Sequence, residues 1–514
     1  MAIRAPPRWP SWRGGAGRGG GGAGRVGRDR GGSETEVEVP EVPPVLLDRS
    51  AAAPLAVQLA DGLRRATVGG SLRPGDRLPS TRELATVLGV SRTVTAAAYD
   101  QLLAEGWVQG RRGVGTFVVG TPGVGPAAAP PVLPAAVTPA PAGGAGHVDL
   151  RAGSPCLEVL DRAAWRRAWR AAGDLAPDGR PDGHGDPGFR AAVAEHLLRH
   201  RGLVAGPDDV LATSGTSAAV AEIAALLPAG ARVAVEEPGY QRAVGALRDR
   251  GVTVVPVPVD DDGLVVDALP DRLAAVYCTP AHQYPLGRRL SAPRRSALVA
   301  RARTEGWWVL EDDYDGELRY DVAPLPLLAA LGPDVVVHLG TASKVLSSTL
   351  GVGWMVAPGP LRDGLVERRA RTGTRPPRAG QRVLAALATS GDLSRHLRRL
   401  RRELVARRAL VLAAVEAGGA VAHGDLAGAH VVVPLPDAAT EAAVLAAAEQ
   451  RGVLLDGLAR HHASPAGPRR SGMVLGWAAP SRTELVGALA ILTDVLTATV
   501  PKEPGSARRQ DRAR

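Results

Sequence analysis

Residues 307–314 read WWVLEDDY and residues 335–344 read VVVHLGTASK, and in each stretch an apolar run stops abruptly at polar residues. Short runs of β-branched and aromatic residues with such an ending are typical of buried parallel strands joined by helices. Ligands of these sheets bind at the carboxyl ends of the strands. The two stretches therefore predict an α/β domain with a polar pocket where they end.

Three further runs predict strands of the same sheet, at Val233–Val235, Val252–Val259 and Ala275–Tyr277. Helical stretches separate them, as expected for a mainly parallel central sheet. Polar clusters again follow two of these strands, at residues 236–240 and 279–283. We expect one pocket to collect the polar ends of four strands.

The basic charge of the chain is almost all arginine, because lysine occurs only at Lys344 and Lys502. Lys502 belongs to the polar C-terminal tail, whereas Lys344 closes the second of the opening stretches. Arginine stays protonated and cannot form a Schiff base, but a desolvated lysine can. Lys344 is therefore the candidate reactive amine, with a surface lysine retained by chance as the alternative.

A reactive lysine near carboxylates suits pyridoxal phosphate, whose chemistry uses a lysine Schiff base and a carboxylate at the ring nitrogen. Asp312 and Tyr314 lie two residues apart at a strand end and share a face, while Asp313 points the other way. We expect Asp312 to pair with the ring nitrogen and Tyr314 with the phenolic oxygen; a solvated acidic loop is the alternative. Tyr240 offers an aromatic face for the pyridine ring, with packing in the core as the alternative. His282 is assigned to the same cofactor site.

The phosphate of this cofactor needs backbone amides and hydroxyls at a helix N-terminus. Gly215 and Thr216 lie in the run Thr213–Ser217, directly before a helical stretch. The hydroxyls of Thr341 and Ser343 can close the phosphate site. A plain helix cap is the alternative for this run.

The N-terminal part, residues 42–120, predicts a separate small domain of three helices and a hairpin. A leucine repeat over residues 55–63 has helical spacing, and the run at residues 70–76 then breaks the helix.

The second predicted helix opens at Ser80–Glu83, which has the pattern of a capping box. It carries Leu84, Val87 and Leu88 on its apolar side. Gly89 suits the end of this helix.

Ser91 can cap a third helix, which completes a helix-turn-helix arrangement. The second helix of that motif enters the major groove of DNA, so Ser91, Arg92 and Thr93 are expected near base edges. Residues 107–118 predict a β-hairpin with an arginine-bearing glycine turn, which is a wing able to approach phosphates or a minor groove.

The chain has 514 residues and is 45% hydrophobic, which indicates two or more globular units. Residues 1–41 are Gly/Arg-rich and are expected to be disordered; they either attract DNA loosely or are an extended start of the reading frame. Residues 121–147 predict a Pro/Ala/Gly linker, the large domain covers 148–498, and residues 499–514 predict a frayed tail.

The net charge of +10 favours polyanionic partners. The chain has only two cysteines, Cys156 and Cys278, with no signal segment and no apolar run long enough to cross a bilayer. We therefore expect the reducing cytoplasm, or the nucleoid when DNA is bound, and no membrane partner; no metal site is predicted.

The N-terminal domain resembles the GntR-type winged-helix domain. Three stretches carry the resemblance: Leu72–Ser80, Leu88–Arg92 and Gly113–Phe117. It implies double-stranded operator DNA as partner and contacts from a set of residues that would otherwise be solvated surface groups. These residues are Arg82, Ser91, Arg92, Thr93, Arg111, Arg112, Gly113 and Thr116.

The large domain resembles the fold type I aminotransferases, and its combination with a GntR-type domain resembles the MocR family of regulators. The stretches that carry this resemblance are Gly185–Arg190, Glu237–Tyr240, His282–Gly287, Glu311–Asp315 and Ser394–Arg399. It implies a smaller C-terminal subdomain, a homodimer, and pyridoxal 5'-phosphate bound covalently to Lys344. It also implies the ring contacts of Asp312, Tyr314 and Tyr240, and a carboxylate of a small amino compound bound by Arg242.

Three residues depart from the family pattern. Gly351 stands seven residues after the lysine, where the family usually has a phosphate-binding arginine. His184 replaces a tyrosine that often reaches the phosphate of the partner subunit, and Ser217 replaces a common glutamine. We expect these departures to weaken cofactor binding.

Three functions are compatible with the residues. The first is a regulator whose aminotransferase-like domain senses the cofactor, or an amino compound captured by it, and alters how a dimer engages two half-sites. The second is a working aminotransferase with its own DNA-binding module. The third is a DNA-binding protein whose large domain is only a dimerisation scaffold.

Overall fold

The computed structural model describes residues 45–119, 146–177, 179, 182–320, 326–464 and 469–500. The chain divides into two compact units between residues 137 and 138, within the predicted linker. The predicted N-terminal tail, residues 120–145 of the predicted linker region and the chain after residue 500 lie outside the described residues.

The N-terminal unit combines three helices with a small antiparallel sheet. Its elements are α1 (Leu55–Val68), β1 (Arg77–Leu78), α2 (Thr81–Leu88), α3 (Arg92–Ala104), β2 (Val108–Arg111) and β3 (Gly115–Val118). Strands β2 and β3 form the predicted hairpin, and β1 pairs with the other edge of β3. A core of leucines, with Tyr99 of α3, lies between the helices and the sheet.

The helix ends of this unit follow the sequence signals. The Ser80 hydroxyl accepts from the Glu83 backbone N–H, and the Glu83 carboxylate accepts from Ser80 N at 2.8 Å. Gly89 ends α2 with φ +62, a conformation that favours glycine. Ser91 Oγ accepts from Val94 N at 3.4 Å and so caps α3.

Two details of this unit differ from the sequence-based expectation. Val87 does not belong to the core, because Leu84 and Ala85 fill the buried side of the short helix α2 and the Val87 side chain is 61% exposed. The second difference is strand β1, since the run before Ser80 predicts a helix break and no strand.

The C-terminal unit contains many more elements. They are β4 (Val148–Asp149), α4 (Arg162–Gly173), α5 (Pro187–Arg201), β5 (Val210–Thr213), α6 (Thr216–Ala224), β6 (Arg232–Glu237), α7 (Gln241–Arg248), β7 (Thr253–Asp260), β8 (Gly263–Leu264), β9 (Ala275–Cys278), α8 (Ala292–Glu305), β10 (Trp308–Asp312), α9 (Leu328–Leu331), β11 (Val336–Thr341), β12 (Gly353–Val356), α10 (Gly359–Thr372), α11 (Arg378–Thr389), α12 (Asp392–Ala417), β13 (His430–Pro434), α13 (Ala438–Gln450), β14 (Val453–Leu454), β15 (Asp456–Gly457), β16 (Gly472–Gly476) and α14 (Arg482–Thr499).

The central sheet has eight strands in the order β5-β12-β11-β10-β9-β6-β7-β8. The pairs from β11 through β10, β9 and β6 to β7 are parallel, as predicted, whereas β12 runs antiparallel to both of its neighbours. Apolar clusters cover the sheet on its two sides. Because β6, β9, β10 and β11 are consecutive neighbours, their polar carboxyl ends lie side by side.

The predicted smaller C-terminal subdomain contains the antiparallel sheet β13-β16-β15. Helices α13 and α14 pack on each other beside this sheet, and the 26-residue helix α12 packs along α14. Among the described residues, no helix is both long and apolar enough to cross a bilayer.

Candidate functional site

The polar residues that follow the four strands meet at one edge of the central sheet. Glu236, the next-to-last residue of β6, accepts a hydrogen bond from Thr279 Oγ1, after β9, at 2.6 Å. Tyr314, after β10, donates from its hydroxyl to the His282 carbonyl at 3.0 Å. The charge of Lys344, after β11, acts on Asp312. The predicted clustering is therefore observed.

Asp312 offers a buried acceptor at the centre of this edge. Tyr277 Oη donates a 2.5 Å hydrogen bond to Asp312 Oδ2, and both residues are 2% exposed. Oδ1 of Asp312 has no hydrogen-bond partner among the described residues. Burial raises the pKa of Asp312 to about 7, although the Tyr277 hydrogen bond acts in the opposite direction. One carboxylate oxygen is thus held ready to accept from a ligand N–H.

Lys344 is half-buried, and its amine donates to the Gly153 carbonyl at 2.7 Å. Burial lowers the pKa of Lys344, and the Arg242 guanidinium lowers it further, while Asp312 opposes them. A lower pKa increases the neutral, nucleophilic fraction of an amine. The site therefore favours reactivity of this lysine.

The start of α6 and the end of β11 form a candidate phosphate site, which is called the cradle below. Gly215 precedes α6 with φ +123, and its backbone N–H donates to Thr213 Oγ1 at 3.2 Å. A Cβ on Gly215 would lie 3.8 Å from Thr341 Oγ1, which donates to Ser343 Oγ at 3.0 Å. Thr216 is the first residue of α6, and the first-turn amides of a helix suit an anion.

Tyr314 and His282 form a stacked pair beside this cradle, with ring centroids 6.2 Å apart. His282 Nδ1 lies 2.8 Å from Asp315 Oδ2 and 3.2 Å from Tyr314 Oη. Ligand atoms of His282, Asp315 and His430 fall within 4.8 Å of one another. Two ligands of a tetrahedral zinc would be about 3.3 Å apart, so the shorter His282–Asp315 contact is that of a hydrogen-bonded pair.

Aromatic residues and an arginine lie near the same sheet edge. Tyr240 lies edge to face with Tyr284 at 5.9 Å, and its hydroxyl is 3.4 Å from Ser217 Oγ. Tyr284 also lies edge to face with Tyr314 at 6.1 Å. Arg242 is exposed on the first turn of α7, where its charge acts on Lys344. Its position suits a carboxylate placed next to the lysine.

Asp313 points away from the site, as its alternation with Asp312 predicts. The guanidinium of Arg201 donates to both carboxylate oxygens of Asp313, at 2.8 Å and 2.6 Å, and both residues are buried. This ion pair holds the residue next to Asp312 in place, on the side of the strand opposite the site.

Two of the three departures from the family pattern have simple local structures. Gly351 ends a short 3-10 turn with φ +61, and a Cβ there would meet nothing within 4 Å. His184 Nδ1 lies 2.8 Å from Asp182 Oδ1.

The chemistry of these residues fits pyridoxal phosphate. The unpartnered Asp312 Oδ1 can accept from a protonated ring nitrogen, and the Gly215–Thr341 cradle can accept a phosphate. Lys344 supplies the amine, and its charge acts on Asp312.

The predicted DNA contacts lie at two places on the surface of the N-terminal unit. Ser91, Arg92 and Thr93 are exposed at the start of α3, and Arg82 is exposed on α2. The hairpin residues Arg111, Arg112 and Gly113 are exposed, while Thr116 is half-buried. The Arg111 guanidinium lies over the Phe117 ring at 4.6 Å, which orients it.

Sequence reasoning missed three residues of the large site: Tyr277, Tyr284 and Gly153. Tyr277 ends a predicted strand, and only the parallel pairing of β9 with β10 brings its hydroxyl to Asp312. Tyr284 was visible as part of the motif His282–Gly287, which carried the resemblance without assigning it a role. No sequence signal connects Gly153 to Lys344.

Comparisons with protein families match both units. The family "Aminotransferase class I and II" matches residues 147–465. The family "Bacterial regulatory proteins, gntR family" matches residues 55–118.

Two relatives that cover most of this chain are named as regulators. The HTH-type pyridoxine biosynthesis transcriptional regulator PdxR of Corynebacterium glutamicum is 35% identical over 72% of this chain and 80% of its own length. The probable rhizopine catabolism regulatory protein MocR of Rhizobium meliloti is 31% identical over 84% of this chain and 92% of its own length.

Solved structures with a similar fold are aminotransferases. An archaeal alanine:glyoxylate aminotransferase has a TM-score of 0.64 at 24% identity, covering 69% of this chain and 92% of that one. LysN, the alpha-aminoadipate aminotransferase of Thermus thermophilus, has a TM-score of 0.62 at 26% identity, covering 69% and 93%. The large unit therefore has the fold type I aminotransferase architecture.

Proposed function

We propose that this chain, which belongs to the MocR-type transcriptional regulators, binds pyridoxal phosphate at Lys344. In these regulators a GntR helix-turn-helix domain is joined to a class I/II aminotransferase domain. We propose further that the chain controls transcription according to whether this site is occupied and by what. The ligand that acts on the site is the cofactor itself or a small amino compound captured by it. The observation that carries the proposal is the buried Asp312 Oδ1, which has no hydrogen-bond partner among the described residues and belongs to a carboxylate on which the domain's single lysine acts.

Pyridoxal phosphate, when bound, supplies an electron sink and a carbonyl carbon that reacts with amines. Asp312 accepts the ring N–H and keeps the proton on the nitrogen. The amides of the first turn of α6, with Thr341 and Ser343, bind the phosphate. Tyr240 and Tyr284 shield one side from water, and Arg242 orients an incoming carboxylate next to the Lys344 amine.

For the winged-helix unit we propose contacts with DNA through the start of α3 and through the β2–β3 wing. Arg92 is exposed where a recognition helix meets base edges, and Arg111 and Arg112 are exposed at the hairpin. Support comes from the GntR match and from the net charge of +10. A homodimer would present two such units to two half-sites, in the cytoplasm where the DNA is.

A second candidate function is catalytic turnover. Lys344, Asp312 and Arg242 are the amine, the ring partner and the carboxylate partner that transamination needs, and the site lacks none of these side chains. A working aminotransferase would convert an amino acid and a keto acid at steady state. A regulator would bind the amino acid and change its DNA binding without turnover.

The test begins with the Lys344→Ala variant and its matched control Lys502→Ala, the other lysine of the chain. Each full-length protein is mixed with pyridoxal phosphate, reduced with borohydride and mapped by peptide mass spectrometry. We expect label at position 344 in wild type and in Lys502→Ala, and none at that position in Lys344→Ala, with the same far-UV circular dichroism in all three. Label found at Lys502 or at the N-terminus instead would overturn the proposal.

The visible absorbance of the loaded wild type is then followed while amino acids are titrated, and keto-acid formation is assayed in parallel. A spectral change without steady turnover is expected for a sensor. Sustained keto-acid formation would favour the enzyme. Absence of any cofactor absorbance would favour a large domain that only holds two subunits together.

A further inference from the structure

The Tyr277 hydroxyl donates a hydrogen bond to the Asp312 carboxylate in the interior of the site. Tyr277 lies at the third position of β9, where it pairs in register with Leu310, two residues before Asp312 on β10. The side chain is 2% exposed, so it is a buried phenol directed at a buried carboxylate.

The contact has the geometry of a strong hydrogen bond to a charged acceptor. The Oη–Oδ2 distance is 2.5 Å, at the short end of the range for O–H donors to carboxylates. It occupies one oxygen of Asp312, while Oδ1 has no hydrogen-bond partner among the described residues. The phenol therefore fixes the rotation of the carboxylate and determines which oxygen can accept a hydrogen bond from a ligand.

We propose that Tyr277 is a positioning residue for the cofactor: its hydroxyl holds Asp312 charged and turned so that Oδ1 binds the protonated ring nitrogen of pyridoxal phosphate. This inference rests on the proposed function, since it concerns the same site.

Without a ligand, Asp312 changes between its neutral and its charged form near neutral pH. Burial raises the pKa of Asp312 to about 7, and the Tyr277 hydrogen bond is the largest effect that opposes burial. The titratable groups that act on this carboxylate or are acted on by it come from every neighbouring element: Glu236, Tyr240, Tyr277, Cys278, Asp313, Tyr314 and Lys344. Lys344 and the Thr216 hydroxyl also favour the charged carboxylate, whereas Asp313 favours the neutral form.

Removing the hydroxyl raises the pKa of Asp312, because desolvation is then less opposed. A neutral carboxyl cannot pair with a ring N–H that carries a positive charge. If the pKa rises from about 7 by one, the affinity for the protonated ring falls about tenfold at a pH well below 7 and about fivefold at pH 7. The loss is recovered as the pH rises, because Asp312 is then ionised in both proteins.

The experiment compares Tyr277→Phe with Tyr320→Phe in the full-length protein. Tyr320 is the matched control, because its hydroxyl also donates to a buried partner, the Gly428 carbonyl, and is not among the groups that act most strongly on Asp312. The dissociation constant of pyridoxal phosphate is measured by tryptophan fluorescence from about pH 6.5 to about pH 8.5. We expect Tyr277→Phe to weaken binding about fivefold near pH 7, with the difference shrinking at higher pH, and Tyr320→Phe to stay near wild type at every pH.

Asp312→Asn and the double variant complete a thermodynamic cycle. If Tyr277 acts through Asp312, its loss has no further effect once Asp312 is asparagine. Equal affinities of Tyr277→Phe and Tyr320→Phe, a pH-independent loss, or additive effects in the cycle would each overturn the inference. If phenylalanine at position 277 prevents folding, Tyr277→Met is measured in the same cycle.

The result separates this inference from the proposed function. A wild type that binds no pyridoxal phosphate overturns the proposed function itself. A wild type that binds it normally, together with an unaffected Tyr277→Phe variant, overturns only the role of Tyr277.

Discussion

Gly351 is the residue at which this chain departs most sharply from the pattern that its family resemblance implies. It occupies the αL region, with φ +61 and ψ +40, and leaves open space where a side chain would stand. An arginine at this position would be strained by about 1–2 kcal/mol, but nothing within 4 Å of its Cβ would obstruct it. The absence of an arginine at position 351 therefore removes a positive charge and is not imposed by crowded packing.

We expect Gly351→Arg to tighten pyridoxal phosphate binding, because a charge-assisted hydrogen bond is worth about 1.5–3 kcal/mol, or roughly 10- to 150-fold in affinity. Gly351→Gln is the matched control, since it carries the same backbone strain without the charge. Affinities are measured by equilibrium titration of the visible absorbance. A gain that is equal in both variants, or no gain in either, would contradict a phosphate contact from this position.

At the level of single residues, the sequence identifies the groups with distinctive chemistry and misses those that act through geometry. Lys344 and Asp312 were predictable because a lone lysine and an alternating acidic run, each at the end of a strand, both indicate pyridoxal phosphate chemistry. Tyr277 and Gly153 were not, because their contacts join residues 35 and 191 positions apart. Their roles depend on strand register, which no local pattern records.

At the level of elements, α3 presents its first residues to solvent while its later residues form the core. Arg92 and Thr93 are exposed, whereas Ala98 and Leu102 are buried. Ser91 already uses its hydroxyl to cap the helix, so a role in reading DNA would compete with that hydrogen bond. Arg92 is therefore the better candidate for a base contact.

Replacing Arg92 by alanine is expected to weaken binding to a specific duplex by about 1–3 kcal/mol if the side chain reads a base edge. The duplex is selected from a random pool by the full-length wild type, and a scrambled duplex measures non-specific binding. Arg65→Ala, at an exposed position in the last turn of α1, is the control with the same loss of charge. An unchanged footprint and affinity would place Arg92 in solvent.

The β2–β3 wing should contribute charge without sequence preference. Replacing Arg111 and Arg112 together is expected to reduce the slope of log K against log salt by roughly 1.8, because each phosphate contact contributes about 0.9. The control is Arg199→Ala with Arg371→Ala, two exposed arginines of the large unit that remove the same net charge. An equal change in slope for both double variants would mean that only net charge matters.

The elements that the sequence predicted well are those with strong periodicity or explicit end signals. The capping box at Ser80, the glycine end at Gly89 and the strands β6, β9, β10 and β11 were all identified from such signals. The antiparallel direction of β12 and the pairing of β1 with β3 were not predictable, because strand direction and edge pairing are decided by distant parts of the chain. The two-residue strand β1 has too little sequence to carry a pattern.

At the level of the whole molecule, occupancy of the large unit must affect the DNA-binding unit if the protein is a sensor. A chain of 53.0 kDa that functions as a dimer would sediment with twice that mass. A dimer with two winged-helix units can respond to a ligand by changing the populations of states that engage two half-sites differently. Such a response requires that the ligand bind these states with different affinities.

Thermodynamic linkage turns this requirement into a quantitative prediction. If pyridoxal phosphate changes the affinity for the selected duplex by some factor, the duplex must change the affinity for pyridoxal phosphate by the same factor, typically about 5- to 150-fold in coupled systems. Both factors are measured on the full-length protein, one by fluorescence anisotropy of labelled DNA and the other by absorbance of the bound cofactor. Lys344→Ala should reduce both factors together, because it removes the amine proposed to bind the cofactor and leaves the winged helix intact. If both affinities of the wild type are unchanged by the other ligand, cofactor binding to the large unit has no effect on DNA binding. In that case a sensor function fails even though both ligands bind, and the turnover assay decides between an enzyme and a scaffold.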